Sequence, residues 1–113
     1  MNNFVQEGIS MAWLNGTGAA VESGALVIAG DLAGVASTRI SAGSPGTLKT
    51  EGVYGLPKVP AQAIGQGTRV FVEEGLVTIN PIAKDDETAN VPVGVAWAAA
   101  AAGVGSVHVK LNV

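Results

Sequence analysis

The sequence contains no cysteine and only one histidine, His108, in 113 residues. Without thiols there is no disulfide framework, no thiolate nucleophile and no Cys-ligated metal. A single imidazole excludes a His cluster as a metal centre, and a triad built through a second histidine. Charged residues make up only 13% of the chain, at a net charge of −3 with both signs scattered. No basic stripe is present to follow a phosphate backbone, so nucleic acid is not an expected partner. No long like-charge run marks a disordered acidic tail. The most apolar stretch, Val93 to Val104, is short and interrupted by glycine, so no bilayer-spanning helix and no membrane partner is expected. The start, Met1-Asn2-Asn3-Phe4, lacks the basic and apolar regions of a secretory signal, which leads us to expect a chain made and kept in a cytosol.

Small side chains dominate what is present. The chain has 18 Ala, 16 Val and 16 Gly, against two Trp, two Phe and one Tyr. A chain of this length forms one domain with a modest core, burying roughly 65% of its unfolded surface. Small residues bury little area each, at roughly 25 cal/mol per Å², and the glycines add chain entropy that folding must overcome. Such a thin core implies that stability is completed across subunits. Positive mean hydropathy with few charges likewise points to a surface that meets partners.

Turn residues recur about every eight to twelve positions, the spacing of an all-β sandwich or barrel. Ile9, Met11 and Trp13 alternate with smaller residues before Asn15-Gly16, a tight-turn dipeptide. A short apolar run covers Gly24 to Ala29, and Gly34 to Ile40 alternates. Ser44-Pro45-Gly46 turns the chain into a strand over Thr47 to Tyr54, and Leu56 to Gly67 reads as a connecting loop. Arg69 to Val72 and Leu76 to Ile79 flank Glu73-Glu74-Gly75 as a hairpin. Pro81 to Pro92 is a polar loop, and Val93 to Trp97 with Ser106 to Leu111 form a closing pair of strands. The prolines fall in the connections, as a sheet requires. Ala96 to Ala102 is rich in the best helix former, yet seven residues are marginal as a helix. A strand end with a small-residue turn is favoured there over one short helix.

Several segments approach a chemical motif and fail on a specific residue. Gly43, Lys49 and Thr50 sit at the positions of a phosphate-binding loop, but Leu48 stands where its second glycine must be. No helix can follow easily through Glu51-Gly52-Val53-Tyr54-Gly55-Leu56-Pro57, so no nucleotide site is expected. His108 alternates with Val107 and Val109, an outward strand position rather than a general base. Asp85, Asp86 and Glu87 lack the alternating oxygen ligands and glycine of a calcium loop. Glu73-Glu74 reads as a hairpin tip rather than a catalytic pair. Gly16-Thr17-Gly18 and Gly103-Val104-Gly105 are turns, not dinucleotide fingerprints. Asn15-Gly16-Thr17 spells a glycosylation sequon without a secretory context. Trp13 and Trp97 serve either as interface anchors or in the core. The expectation is a protein without catalytic residues, cofactor or metal.

Taken in order, the segments Asn3-Phe4-Val5-Gln6-Glu7-Gly8, Ser23-Gly24-Ala25-Leu26-Val27, Gly34-Val35-Ala36, Glu51-Gly52-Val53-Tyr54-Gly55-Leu56-Pro57-Lys58, Gly67-Thr68-Arg69-Val70-Phe71, Val93-Gly94-Val95-Ala96 and Val107-His108-Val109-Lys110-Leu111-Asn112 span almost the whole chain. This series resembles a family of small tailed-phage capsid decoration, or cement, proteins. A recombinase-like label sometimes attached to that family finds no support in these residues.

The resemblance implies a compact antiparallel β-sandwich or barrel, β-tulip or jelly-roll-like, that self-associates and binds the outside of a mature capsid made in a host bacterium. Its partners would be the major capsid protein and further copies of itself, with a trimer favoured over a dimer. Residues 1–8 would form an extended N-terminal arm and residues 9–113 a single β domain. An arm can add to an exposed sheet edge on a neighbour through backbone hydrogen bonds. Phe4 would anchor it, or else tuck into its own domain. The expected interface residues are Asn3, Phe4, Val5, Gln6, Trp13 and Trp97. Another virion β-module (tail, baseplate or surface-binding) is the alternative, and a nucleotide-dependent enzyme a distant third.

Overall fold

Period-two alternation of small apolar and polar side chains builds nine strands and no helix in the computed structural model, which describes residues 8–82 and 88–113. They are β1 (Ser10–Leu14), β2 (Leu26–Ala29), β3 (Leu32–Ala36), β4 (Pro45–Lys49), β5 (Val53–Pro57), β6 (Arg69–Glu73), β7 (Leu76–Thr78), β8 (Val91–Ala96) and β9 (Ser106–Leu111). β9 shows the rule most cleanly: Val107, Val109 and Leu111 are buried, while Ser106 and His108 are exposed. The Ala-rich segment after β8 forms bends and an isolated bridge rather than a helix, because Ile64 and Ala100 exchange backbone hydrogen bonds there.

All paired strands are antiparallel, in two sheets. The first has the order β1-β4-β3-β2 and the second β5-β9-β8-β6-β7. The second sheet curls until its outer strands approach. Lys58, just after β5, bridges Val77 of β7, and the Val59 amide donates to the Val77 carbonyl at 3.0 Å. Between the sheets, Ala33 and Val35 of β3 pack with Leu56, Ile64, Val70, Val77, Val93 and Val109 in one core. Each valine withdrawn from water there stabilises the fold by about 1.5–3 kcal/mol. The opposite face of the first sheet carries a second, smaller cluster of Val27, Ala36, Ile40 and Leu48, bordered by Met11, Trp13 and Val21. β2 and β3 are therefore apolar on both faces, which explains why their sequences read as continuous runs.

Four sequence expectations change. Asn15-Gly16 closes no hairpin, because β1 pairs with β4 rather than with the next strand. Thr47 to Tyr54 is two strands in different sheets, parted at Thr50-Glu51-Gly52. Thr50 donates to the Ile9 carbonyl on the side of the first sheet, while Leu111 donates to the Gly52 carbonyl on the side of the second. The corner needs the left-handed backbone of Gly52 (φ 116°). Pro45, Pro57 and Pro92 lie inside strand bounds rather than in connections. Pro45 and Pro57 occupy strand ends, and Pro92 lies at a register shift opposite Phe71, all places where a missing N–H breaks no ladder. The segment after β5 is not simply a loop. Lys58 is buried, its ammonium donating to the carbonyls of Val59, Pro60 and Gln62 at 3.0, 3.4 and 2.6 Å. The β6–β7 hairpin matches its expectation, with positive φ at both Glu74 and Gly75.

Asn112 joins the two sheets directly. Its Oδ1 accepts from the Ala33 amide at 3.1 Å, and its Nδ2 donates to the carbonyls of Ala33 and Thr50 at 2.8 and 2.7 Å. The side chain thus pairs with β3 as a peptide would. Asn112→Gly keeps the left-handed backbone there (φ 55°) but removes the clamp. It should cost about 2 kcal/mol, given about 0.5–1.5 kcal/mol per hydrogen bond. A urea midpoint equal to that of the parent protein would show that the clamp contributes nothing.

Candidate functional site

Segments that approached a catalytic motif are committed to the sheets. Residues 45–49 form β4, and Leu48 is fully buried in the smaller cluster, directly over Gly34. The Thr50 hydroxyl donates to the Gly8 carbonyl rather than facing a ligand. Asn15 is also buried. Its Nδ2 donates to the carbonyls of Ala19 and Ile40 at 2.8 and 3.0 Å, and its Oδ1 accepts from the Thr17 amide and hydroxyl at 3.1 and 2.7 Å. The sequon amide is a loop anchor, unavailable for modification. His108 points outward from β9 and lies across Gly55 on the neighbouring strand. Glu73 ends β6 and Glu74 occupies the hairpin turn, while Asp85, Asp86 and Glu87 lie outside the described residues. Among the described residues, no group of three His, Asp or Glu side chains is placed to hold a metal ion.

Of the expected interface residues, Asn3, Phe4, Val5 and Gln6 lie outside the described residues. Trp13 and Trp97 stand on different sheets and line separate hollows. Trp13 is half-buried against the smaller cluster and forms one wall of a groove of about 410 Å³ running along β2, the edge strand of its sheet. Trp97 follows β8 and leaves 54% of its surface in solvent. Its amide donates to the His108 carbonyl at 2.8 Å, which places it beside His108. A third hollow, of about 550 Å³, lies where Gly8 meets Thr50, Lys110 and Asn112 at the junction of the sheets.

The outward face of the second sheet escaped the sequence reading. Cross-strand register aligns Val53, Lys110, Val95 and Arg69 in one row over β5, β9, β8 and β6. Gly55, His108 and Trp97 form the adjacent row. A signal for this was present: no Asp or Glu occurs from Thr88 to Val113. By contrast, the ion pair Arg39–Glu22 (3.2 Å) beside the smaller cluster is solvent-exposed and contributes little.

Sheet edges without a partner strand among the described residues, an exposed tryptophan and a mixed cationic and apolar face suit a surface that binds other proteins. Comparison with curated proteins gives no match, and comparison with solved structures gives none. A family model described as phage cement protein matches residues 5–111, both sheets included. An all-β body of this kind, matched over nearly its full length, belongs to the phage cement protein family, whose role is decoration of the virion capsid.

Proposed function

We propose that this protein binds the outer surface of a phage head after synthesis in the host cytoplasm, and stabilises the shell by bridging neighbouring capsid subunits as a homo-oligomer. The family match across residues 5–111 carries this reading. A core built largely of Val and Ala leaves Trp97, Leu14, Ile82 and Val53 exposed, area that association can bury. An oligomer that touches several shell subunits gains avidity, so each contact can be weak while the assembly holds against the pressure of a packaged genome. Its chemistry is contact, without catalysis.

The segment before β1 is the arm in this reading, contributing Asn3, Phe4, Val5 and Gln6 to a neighbour's sheet edge, with Phe4 as the apolar anchor. In this reading the arm is cut before Gly8, whose carbonyl accepts the Thr50 hydroxyl. Deleting residues 1–7 should therefore leave the circular dichroism spectrum intact and abolish co-sedimentation with expanded, empty heads. Undiminished binding of the truncated protein would eliminate the arm. Full-length protein that pellets with tails but not with heads would favour a tail or baseplate module instead.

A further inference from the structure

We propose that the outward face of the second sheet is the surface that meets the capsid, and that its partner there is an acidic segment of the capsid protein with an apolar side chain at its centre. This rests on the head-binding reading above and names the face and the chemistry of the contact.

Residues directly opposite one another in a sheet project to the same side. The inward side of β5, β9, β8 and β6 is consumed by the core, through Leu56, Val107, Val109, Ala96 and Val70. The outward side is then fixed as Val53, Lys110, Val95 and Arg69, with His108 and Trp97 beside them. Nothing else in the described chain packs on it as a further layer: the first sheet sits against the opposite, inward side through Ala33 and Val35.

Charge is distributed against the average of the molecule. The chain carries nine acidic and six basic residues, yet β5, β8 and β9 contain no acidic residue. Glu51 borders the face, lining the same hollow as Lys110, and Glu73 closes the far end of β6. Between them lie Lys110, Arg69 and the His108 imidazole, set among valines, with Arg69 also donating to the Val113 carbonyl oxygen at 2.6 Å. A cationic field over an apolar ground is matched by carboxylates around an apolar side chain, and it steers such a partner at low salt. A two-fold contact of this face with itself would gather the Lys110 and Arg69 cations of both copies into one interface, so like-charge repulsion disfavours a second copy as the occupant.

Trp97 supplies the anchor. It is 54% exposed, one of the most exposed large apolar side chains described, and a hollow of about 360 Å³ opens beside it between Gln66, Gly67 and Val95. A partner side chain seated there would cover the indole. Truncation of a tryptophan buried at the centre of an interface is typically among its costliest changes.

The test uses the full chain and purified expanded heads, with binding measured against salt concentration. Lys110→Glu and Trp97→Ala should each weaken binding about tenfold or more, and Lys110→Glu should also flatten the salt dependence. Arg39→Glu changes net charge equally, in the connection between β3 and β4, and should bind within about twofold of the parent, as expected for a charge outside the interface. Circular dichroism and sedimentation of each variant establish fold and oligomeric mass. Undiminished binding by both face variants overturns the proposal. An equal loss in Arg39→Glu overturns it in favour of overall charge, and a changed oligomeric mass in favour of a contact between copies. If the parent protein itself fails to bind heads, the underlying functional reading is wrong, an outcome separable from failure of the face alone.

Discussion

Replacing Gly94 with alanine should prevent stable folding, or lower stability by about 4 kcal/mol or more, a loss confined to a short list of mechanisms. Gly94 lies in β8 opposite Leu111 and Val70, with a sheet neighbour on each side. A Cβ at this position would stand 1.9 Å from the Lys110 carbonyl oxygen and 3.1 Å from the Asn112 nitrogen. The obstructing atoms are backbone, so no side-chain rotation relieves the overlap. β8 and β9 would have to separate by more than an ångström, which is incompatible with hydrogen bonds whose donor–acceptor distance lies near 2.9 Å. That separation would also part Asn112 from Val93, whose carbonyl accepts the Asn112 amide at 2.8 Å. Gly105→Ala is the control, because no atom lies within 4 Å of the added carbon. It should fall within about 0.5 kcal/mol of the parent, as an unobstructed surface change does. Urea unfolding followed by near-UV circular dichroism distinguishes the two. A cooperative transition near the parent midpoint for Gly94→Ala would show that the strands tolerate the extra carbon.

Asn15→Ala is expected to cost about 3 kcal/mol, close to the largest effect of any polar truncation in the first sheet. The side chain is fully buried and satisfies the carbonyls of Ala19 and Ile40 as well as the Thr17 amide. Removing it takes a donor from the buried Ile40 carbonyl and partners from the part-buried Ala19 carbonyl and Thr17 amide, at about 1–3 kcal/mol for a buried group left unpaired and less where water can reach. The Ile40 carbonyl keeps one donor, the Val21 amide at 2.9 Å, which limits the loss there. Asn15→Asp is near-isosteric and separates hydrogen bonding from volume. It retains the acceptor for Thr17 but sets a carboxylate against the Ala19 and Ile40 carbonyl oxygens, so at neutral pH it should be at least as destabilising as alanine. Unfolding midpoints in urea decide the matter. An aspartate variant as stable as the parent would mean that the amide donors do not hold the loop. Because Asn15, Ile40 and Ser44 tie the ends of β1 and β4 together, the damage should fall first on the first sheet.

Much of the strand inventory was legible because alternation is local. The pattern of Ser106-Val107-His108-Val109-Lys110-Leu111 identifies both a strand and its inward side. Glu74-Gly75 between two apolar runs identifies the hairpin. The boundaries were less legible where a strand changes partners. Nothing in Lys49-Thr50-Glu51-Gly52 announces that the chain exchanges β1 and β3 as ladder partners for β9, since extended backbone on either side looks alike in sequence. Pro92 likewise reads as loop until the register shift opposite Val70 and Phe71 shows why a residue without an N–H fits there. Of the candidate interface residues, Trp97 was identifiable as a scarce aromatic, but its exposure was not. The composition of the face around it needed the strand order, because Val53, Arg69, Val95 and Lys110 are far apart in the chain.

Composition and periodicity alone determined an all-β chain with a valine-rich core and favoured an Ala-rich turn over a short helix, because side-chain alternation and chain entropy act over a few residues. Tertiary structure alone decided that Asn15 and Lys58 are interior, that Asn112 pairs across 79 positions with Ala33, and that Gly94 has no room for a Cβ. Each of these depends on which distant backbone group stands within hydrogen-bonding or van der Waals distance. A sheet fixes that through pairings whose partners no local pattern specifies.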